Sequence, residues 1–411
     1  MTIKLFKNTY TALFVVIILV LPVLLPIDAN ACTTFCLSKN GEVLFGKNYD
    51  WNIDYGMVFV NKRTVKKTAL GDSGDEKNPA SWTSKYGSVT FNQYGRENPS
   101  GGINEKGLVI ELMWLDDGKY PAPDSRPALG TLEWIQYQLD NSASVEDVIH
   151  NSSSVRISSE IPLHYLVSDK TGNVVSIEFL DGKLVYHTGK TMPVKTLTND
   201  TYSSSLANAQ KYKDLGGSQE LPQSLSSLDR FARAAWMTKN FESAKIDSPV
   251  KYAFTILANV AQGDYTQWSI VYDQKNMRVY FLTKESPKIK SFDVSTFDFS
   301  CSTPVKMLDM NMDAEGDITR SFADYTRKAN RDLIERSFNG TPFLTSVPKE
   351  IRDQYALYPE QMTCLSSKTS FIHPMMRQDK LEEITVVSLL ELFHIPQRQT
   401  NQGQIVWLVD Y

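Results

Sequence analysis

The sequence predicts an α+β protein in which antiparallel strands and helices form separate layers, and three observations carry that expectation. Strand-length runs are joined by short turn signals, so they read as hairpins rather than as strand–helix–strand crossovers. The helical patterns fall in runs of their own. No internal repeat or low-complexity linker interrupts the chain.

The first hairpin is written in residues 34–37 and 43–46, which flank Lys39-Asn40-Gly41-Glu42. Residues 57–60 and 88–91 read as further strands, and Asn104-Glu105-Lys106-Gly107 turns into the mostly apolar run 108–115. An amphipathic helix is expected over 130–141. Ser144-Val145-Glu146-Asp147 resembles a capping box ahead of a second helix. Strands at 164–167 and 174–179 flank the turn 169–173, and residues 184–187 continue that sheet. Helices are expected over 227–240 and 248–261, and a late hairpin over 267–272 and 278–282. From Pro348 the patterning weakens, leaving a helix candidate at 380–394 and a strand candidate at 404–409.

With 411 residues, 42% of them hydrophobic, the chain can bury one large core or two smaller ones. A net charge of -4, with Lys and Arg scattered, gives no footprint for nucleic acid or an anionic membrane. The N-terminus has the form of a secretory signal: Lys4 and Lys7, an apolar run over 12–25, then Ala29-Asn30-Ala31. That run falls short of the roughly 20 residues that span a bilayer, and Pro22 and Pro26 interrupt its end. Cleavage after Ala31, a periplasmic or secreted protein and no stable membrane anchor are the expectation. The chain then divides into a signal peptide (1–31), a main domain (32–347) and a C-terminal extension of unassigned role (348–411).

Four cysteines, Cys32, Cys36, Cys301 and Cys364, are too few and too unevenly spaced for a disulfide framework. Cys36, Cys301 and Cys364 read as buried small hydrophobes. Neither the cysteines nor the five histidines have zinc-ligand spacing, and no metal or cofactor is called for.

Cys32 is different because cleavage after Ala31 makes it residue one. A thiol with a pKa of about 8.5 needs a base near neutral pH, and an α-amine with a pKa of about 7.7–8.0 is such a base. Nucleophile and general base then come from the same residue. The competing reading is a lipoprotein acylated on Cys32, an envelope binding protein without catalysis. It would block that amine, and Ala29 stands where a lipobox usually has Leu.

Cys32-Thr33-Thr34-Phe35, Gly46-Lys47-Asn48-Tyr49-Asp50-Trp51, Asn104-Glu105-Lys106-Gly107-Leu108, Leu197-Thr198-Asn199 and Ser227-Leu228-Asp229-Arg230-Phe231-Ala232-Arg233 follow one another in that order. Together they resemble the choloylglycine hydrolase family of N-terminal-nucleophile hydrolases, which includes conjugated bile salt hydrolases and penicillin V acylases. The resemblance runs from Cys32 to about Thr319. It implies a four-layer αββα sandwich and hydrolysis of a linear, non-peptide C–N amide bond, with homotetramers common among relatives.

Carried over residue by residue, the resemblance makes Cys32 nucleophile and, through its amine, base. Asp50 would orient that amine, Asn199 would donate to the oxyanion, and Arg230 would lie near the thiol. Arg233, one turn on, reads as structural or solvated. Two positions depart from the family. Lys47 replaces an arginine, keeping charge but losing the planar fork. Trp114 stands beside the expected oxyanion hole, where bile salt hydrolases tend to carry Asn and penicillin acylases Tyr. Its backbone N–H can serve the oxyanion, its bulk disfavours a bile-salt pocket of the usual shape, and a core role for its side chain is the alternative. The expected substrate is a small N-acyl amide such as penicillin V, an N-acyl homoserine lactone or a conjugated bile salt.

Overall fold

The computed structural model describes residues 32–71, 78–243 and 248–365, and two short strands beyond them. The expected signal peptide and the helix candidate at 380–394 lie outside the described residues. Two compact units divide the chain between Ser366 and Ser367.

In the first unit, strands β1 (Thr33–Lys39) and β2 (Glu42–Asp50) form the expected hairpin. Its turn residues Asn40 and Gly41 take φ of +52° and +87°, as a tight two-residue turn requires. Strands β3 (Met57–Asn61), β4 (Val65–Thr68), β5 (Ser81–Thr83), β6 (Ser88–Asn92), β7 (Gly101–Asn104), β8 (Val109–Trp114) and β9 (Ala128–Leu129) follow. Helix α1 (Thr131–Asn141) precedes α2 (Val145–Ser154), which starts on the expected capping box. Ser144 Oγ accepts the Asp147 N–H at 3.1 Å, and Asp147 Oδ2 accepts the Ser144 N–H at 3.1 Å.

Next come β10 (Arg156–Ile157), β11 (Leu163–Ser168), β12 (Val174–Leu180), β13 (Lys183–Thr188) and β14 (Thr196–Leu197). Helices α3 (Tyr202–Ala209), α4 (Ser227–Ser243) and α5 (Pro249–Asn259) lead to β15 (Thr266–Asp273) and β16 (Arg278–Thr283). Strands β17 (Lys290–Asp293), β18 (Lys306–Asp309), β19 (Gly316–Asp317) and β20 (Ala323–Asp324) complete the sheets. Helices α6 (Arg327–Gly340) and α7 (Lys349–Leu357) and strand β21 (Thr363–Cys364) close the unit.

Two sheets dominate. One runs β14-β1-β2-β15-β16-β17-β19 and the other β13-β12-β11-β8-β7-β6-β3-β18-β20. All neighbours in them are antiparallel except β17 and β19. Side-chain alternation builds the layers. From β1, β2 and β15, Phe35, Leu37, Leu44 and Val271 meet Ala234, Ile256 and Leu257 of α4 and α5. The residues between them in sequence, Cys36, Phe45, Ile270 and Tyr272, belong to the other core, shared with the second sheet. That sheet contacts α1 and α2. The result is the αββα order of layers. Gly46 of the Gly-Lys-Asn motif faces Phe35 across the hairpin, and a Cβ there would lie 2.3 Å from the ring. Phe35 needs that gap to cover the strand pair.

Beyond the strands expected from sequence, α6 was not legible, and α7 begins just past Pro348 and packs on α6: Ile334, Phe338 and Ala356 form a cluster of their own. One expectation is corrected. Cys301 and Cys364 are not buried small hydrophobes but a disulfide across 63 residues, with Cys301 half-buried and Cys364 exposed. The two sulfurs meet because β21 pairs with β4, whose neighbouring Thr64 contacts Cys301. Cys32 and Cys36 are free and buried, as expected of Cys36.

In the second unit, strand β22 (Gln397–Gln399) pairs with β23 (Ile405–Trp407), within the strand expected at 404–409. Among the described residues, no helix is long and apolar enough to cross a membrane, and no group of three His, Cys, Asp or Glu could hold a metal.

Candidate active site

Cys32 immediately precedes β1 and is 3% exposed. It belongs to the core between the two sheets, and its Sγ lies 3.9 Å from the Asp50 carbonyl oxygen. The β1–β2 register pairs Thr33 with Asn48, so the hairpin itself brings the end of β2 beside the cysteine. Burial pushes the Cys32 thiol up, and the Lys47 ammonium pulls it back.

The structure brings all six sequence-predicted residues into one neighbourhood. Arg230, on the first turn of α4, is fully buried. Its Nη1 donates to the Cys32 carbonyl at 2.9 Å and to Thr33 Oγ1 at 2.6 Å, and its Nη2 donates to Asn199 Oδ1 at 3.0 Å. Asn199 Nδ2 in turn donates to the Trp114 carbonyl at 2.9 Å. One guanidinium therefore fixes the Cys32–Thr33 peptide unit and the amide expected at the oxyanion. The Asn199 N–H also donates to Ser227 Oγ at 2.8 Å, tying its loop to the helix that carries Arg230.

Asp50 is buried at the end of β2. Its Oδ1 accepts from Thr266 Oγ1 at 2.5 Å and its Oδ2 from Gln262 Nε2 at 3.0 Å. Burial raises its pKa, while the Arg230 charge and these two donors oppose the rise. Arg233 is buried and structural: its guanidinium holds the Pro222 and Ser224 carbonyls and Asn259.

Lys47 is the departure with the clearest structural reason. Its side chain is fully buried, its Nζ donates to the Leu112 carbonyl, and Glu111 Oε2 lies 4.0 Å away. Glu111 also accepts from Tyr272 Oη at 2.5 Å, and burial pushes its carboxyl up to about 7. Gly101, opposite Glu111 in the β7–β8 pair, leaves the room: a Cβ there would lie 2.2 Å from the carboxyl carbon. A compact ammonium needs fewer partners than a guanidinium fork, and this carboxyl supplies the nearby one.

Trp114 ends β8, half-buried. Its ring centroid is 6.2 Å from that of Trp51 and 6.4 Å from that of Phe343. Its backbone carbonyl accepts from Asn199, while its ring packs against the core and faces an apolar cavity. That cavity, about 140 Å³, opens from Cys32 and is bounded by Tyr49, Trp51, Leu112 and Trp114 on the sandwich side.

Sequence reasoning missed the parts of Glu111 and Tyr272 beside Lys47, of Thr266 and Gln262 on Asp50, and of Ser227 on Asn199. It also missed His164, whose Nε2 lies 2.6 Å from the Thr198 carbonyl beneath the Asn199 loop. Apart from Ser227, which opens the run that carries Arg230, each acts across the fold from a position with no local motif. Asn104 of the Asn-Glu-Lys-Gly motif proves structural, since its side chain bonds the Leu139 and Ser142 carbonyls and the Lys106 and Leu108 N–H groups.

Residues 32–307 match the family described as linear amide C–N hydrolases, choloylglycine hydrolase family. The chain belongs to that family. Among choloylglycine hydrolase relatives, a penicillin V acylase of Pectobacterium atrosepticum is 28% identical over 263 residues, covering 53% of this chain and 69% of the relative. A bile salt hydrolase/transferase of Lactiplantibacillus plantarum is 27% identical over 239 residues, covering 47% and 72%. The structure of penicillin V acylase from Agrobacterium tumefaciens superposes with a TM-score of 0.64 at 28% identity, covering 72% of this chain and 98% of that one. The sandwich is thus the family's N-terminal-nucleophile fold, and the protein is a hydrolase of linear C–N amide bonds.

Proposed function

We propose that the protein is an exported cysteine amidohydrolase that removes an apolar acyl group from an N-acyl amide, with Cys32 as nucleophile and its own α-amine as base. The observation that carries this reading is the position of Cys32 at the head of an apolar cavity, with Arg230 bonded both to its carbonyl and to Asn199.

Removal of residues 1–31 frees the amine. The amine takes the thiol proton as Sγ bonds to the acyl carbon. Asn199 and the Trp114 backbone N–H stabilise the resulting oxyanion. Asp50, held by Thr266 and Gln262, orients the amine, and Lys47 favours the thiolate. The C–N bond then breaks as the ammonium returns its proton to the leaving nitrogen. Water attacks the thioester, the amine takes a proton from it, and the C–S bond breaks to release the carboxylic acid and restore the thiol.

Two features support export. The Cys301–Cys364 disulfide is at home in an oxidising compartment, and the first residues have the form of a secretory signal. A lipid-anchored binding protein would need the Cys32 sulfur at the surface, whereas it is buried between the sheets. Penicillin V, whose acyl part is small and aromatic, suits the cavity better than a bile salt. The test is a panel of N-acyl amides given to the processed protein and to its Cys32→Ala variant. Hydrolysis of one amide by the wild type alone is expected, and equal hydrolysis by both would refute the mechanism.

A further inference from the structure

We propose that α6, α7 and the turn Pro342–Leu344 between them form a substrate-selecting cap that limits the cavity to acyl groups ending in one aromatic ring. The inference rests on the amidohydrolase reading and extends it to a part of the chain beyond the family match, which ends at residue 307.

The cap supplies six of the eighteen residues lining the cavity: Phe338, Phe343, Leu344, Val347, Ile351 and Tyr355. All six are apolar or aromatic, and they face the wall that carries Cys32. Without them that wall would be an open apolar surface. The space, about 140 Å³ and open at its mouth, compares with the cavity of about 150 Å³ that holds benzene in an engineered protein. A fused steroid nucleus does not fit a space of that size. At the mouth stands Phe343, 50% exposed, with its ring centroid 6.3 Å from Trp51 and 6.4 Å from Trp114. Three rings at these separations offer a flat aromatic group edge and face contacts from several sides.

The cap is fixed rather than draped. Arg352 is buried, and its guanidinium bonds the Val347 carbonyl at 3.0 Å, the Thr345 carbonyl at 2.8 Å and Asn339 Oδ1 at 2.7 Å. These bonds set the turn that carries Val347. A hydrogen-bonded chain joins cap to sandwich: Trp51 Nε1 donates to Tyr94 Oη at 2.7 Å, and Tyr94 Oη meets Thr341 Oγ1 at 2.8 Å. The Tyr94 hydroxyl thus has its partners within the protein and asks nothing of the acyl group. Beyond α7, the Cys301–Cys364 disulfide clamps the end of the cap to the sandwich side.

The test measures kcat/KM of the processed protein on acetyl, phenoxyacetyl, decanoyl and steroid-acyl amides of one common amine. Wild type is expected to prefer the phenoxyacetyl amide. Val347→Trp fills the cavity and should lower the phenoxyacetyl-to-acetyl ratio at least tenfold. Phe343→Ala, at a half-exposed site that does not threaten folding, opens the mouth and should raise the decanoyl-to-phenoxyacetyl ratio at least tenfold. Calorimetric binding of phenoxyacetate to the Cys32→Ala protein, and its loss on adding Val347→Trp, gives a readout independent of turnover. The cap proposal is overturned if both variants change every amide by one common factor, or if the steroid amide is the best substrate. No hydrolysis, with phenoxyacetate still bound and displaced by Val347→Trp, removes the amidohydrolase reading alone. No hydrolysis and no binding removes both.

Discussion

On one side of the cavity, the wall that Cys32 lines is backed by Asp50, Asn199 and Arg230, set by charged hydrogen bonds that cross from strand to strand and from strand to helix. On the other, Phe338, Val347 and Ile351 are set by apolar contacts and by one buried guanidinium acting on its own segment. The first wall tolerates little, because a displacement of Arg230 travels to both the Cys32 peptide unit and the Asn199 amide. The second can change a side chain and keep its backbone. On the proposed reading, chemistry and selectivity sit on parts of the chain with different physical tolerance, and substitutions in the two should fail in different ways.

The largest effect belongs to the polar wall. Cys32→Ala, or retention of residues 1–31, should lower turnover by roughly 10⁴-fold or more while leaving the thermal transition in place, as progress curves and calorimetry can show. Asn199→Ala should cost about 10²–10³-fold in kcat with a smaller change in KM, the size of a lost oxyanion donor. If its loss appears in KM alone, Asn199 positions substrate and the hole lies elsewhere.

The clamp on the apolar wall comes next. Replacing both Cys301 and Cys364 by Ser releases a loop of 63 residues, a change of about 4 kcal/mol by chain entropy and commonly nearer 2. Urea melts of the two proteins measure it, and an unchanged midpoint would mean the cap is held by packing alone.

The smallest effect concerns the carboxyl beside Lys47. Burial raises the Glu111 pKa from 4.5 to about 7 in the folded protein, so its contribution to stability is full below pH 4.5 and is lost as pH rises through about 7. Glu111→Gln should flatten stability between those limits by about 1–3 kcal/mol. Chemical melts at pH 4.5 and 7.5 give the difference, and parallel slopes for the two proteins would contradict the assignment.

Much of the polar wall was legible because its residues sit in short runs with strong local constraints. Asn40-Gly41 announces its turn, Gly46 is needed under Phe35, and Asp50 and Lys47 follow Gly46 within one strand. Arg230 could be found on its helix because the run around it resembles a family motif. Glu111 could not, since a carboxylate amid 108–115 gives no sign that Lys47 and Tyr272 will close on it from another sheet. Helix α6 was hidden for a related reason. Its buried face is little more than Leu333, Ile334 and Phe338 in a polar stretch, and what it covers lies more than two hundred residues earlier at Tyr94. The disulfide has no spacing signature because β21 and β4 are brought together only by the finished fold.

Chain ends are usually the most mobile part of a domain. On the proposed reading, cleavage after Ala31 would create an end that runs straight into a strand inside a sheet, flanked by β14 and β2, where Arg230 grips the Cys32 carbonyl and the Thr33 side chain. A terminus so restrained would lose little further freedom when substrate arrives. With Cys32 as the proposed nucleophile, an effective concentration that most enzymes build from several distant residues would be built into one peptide unit.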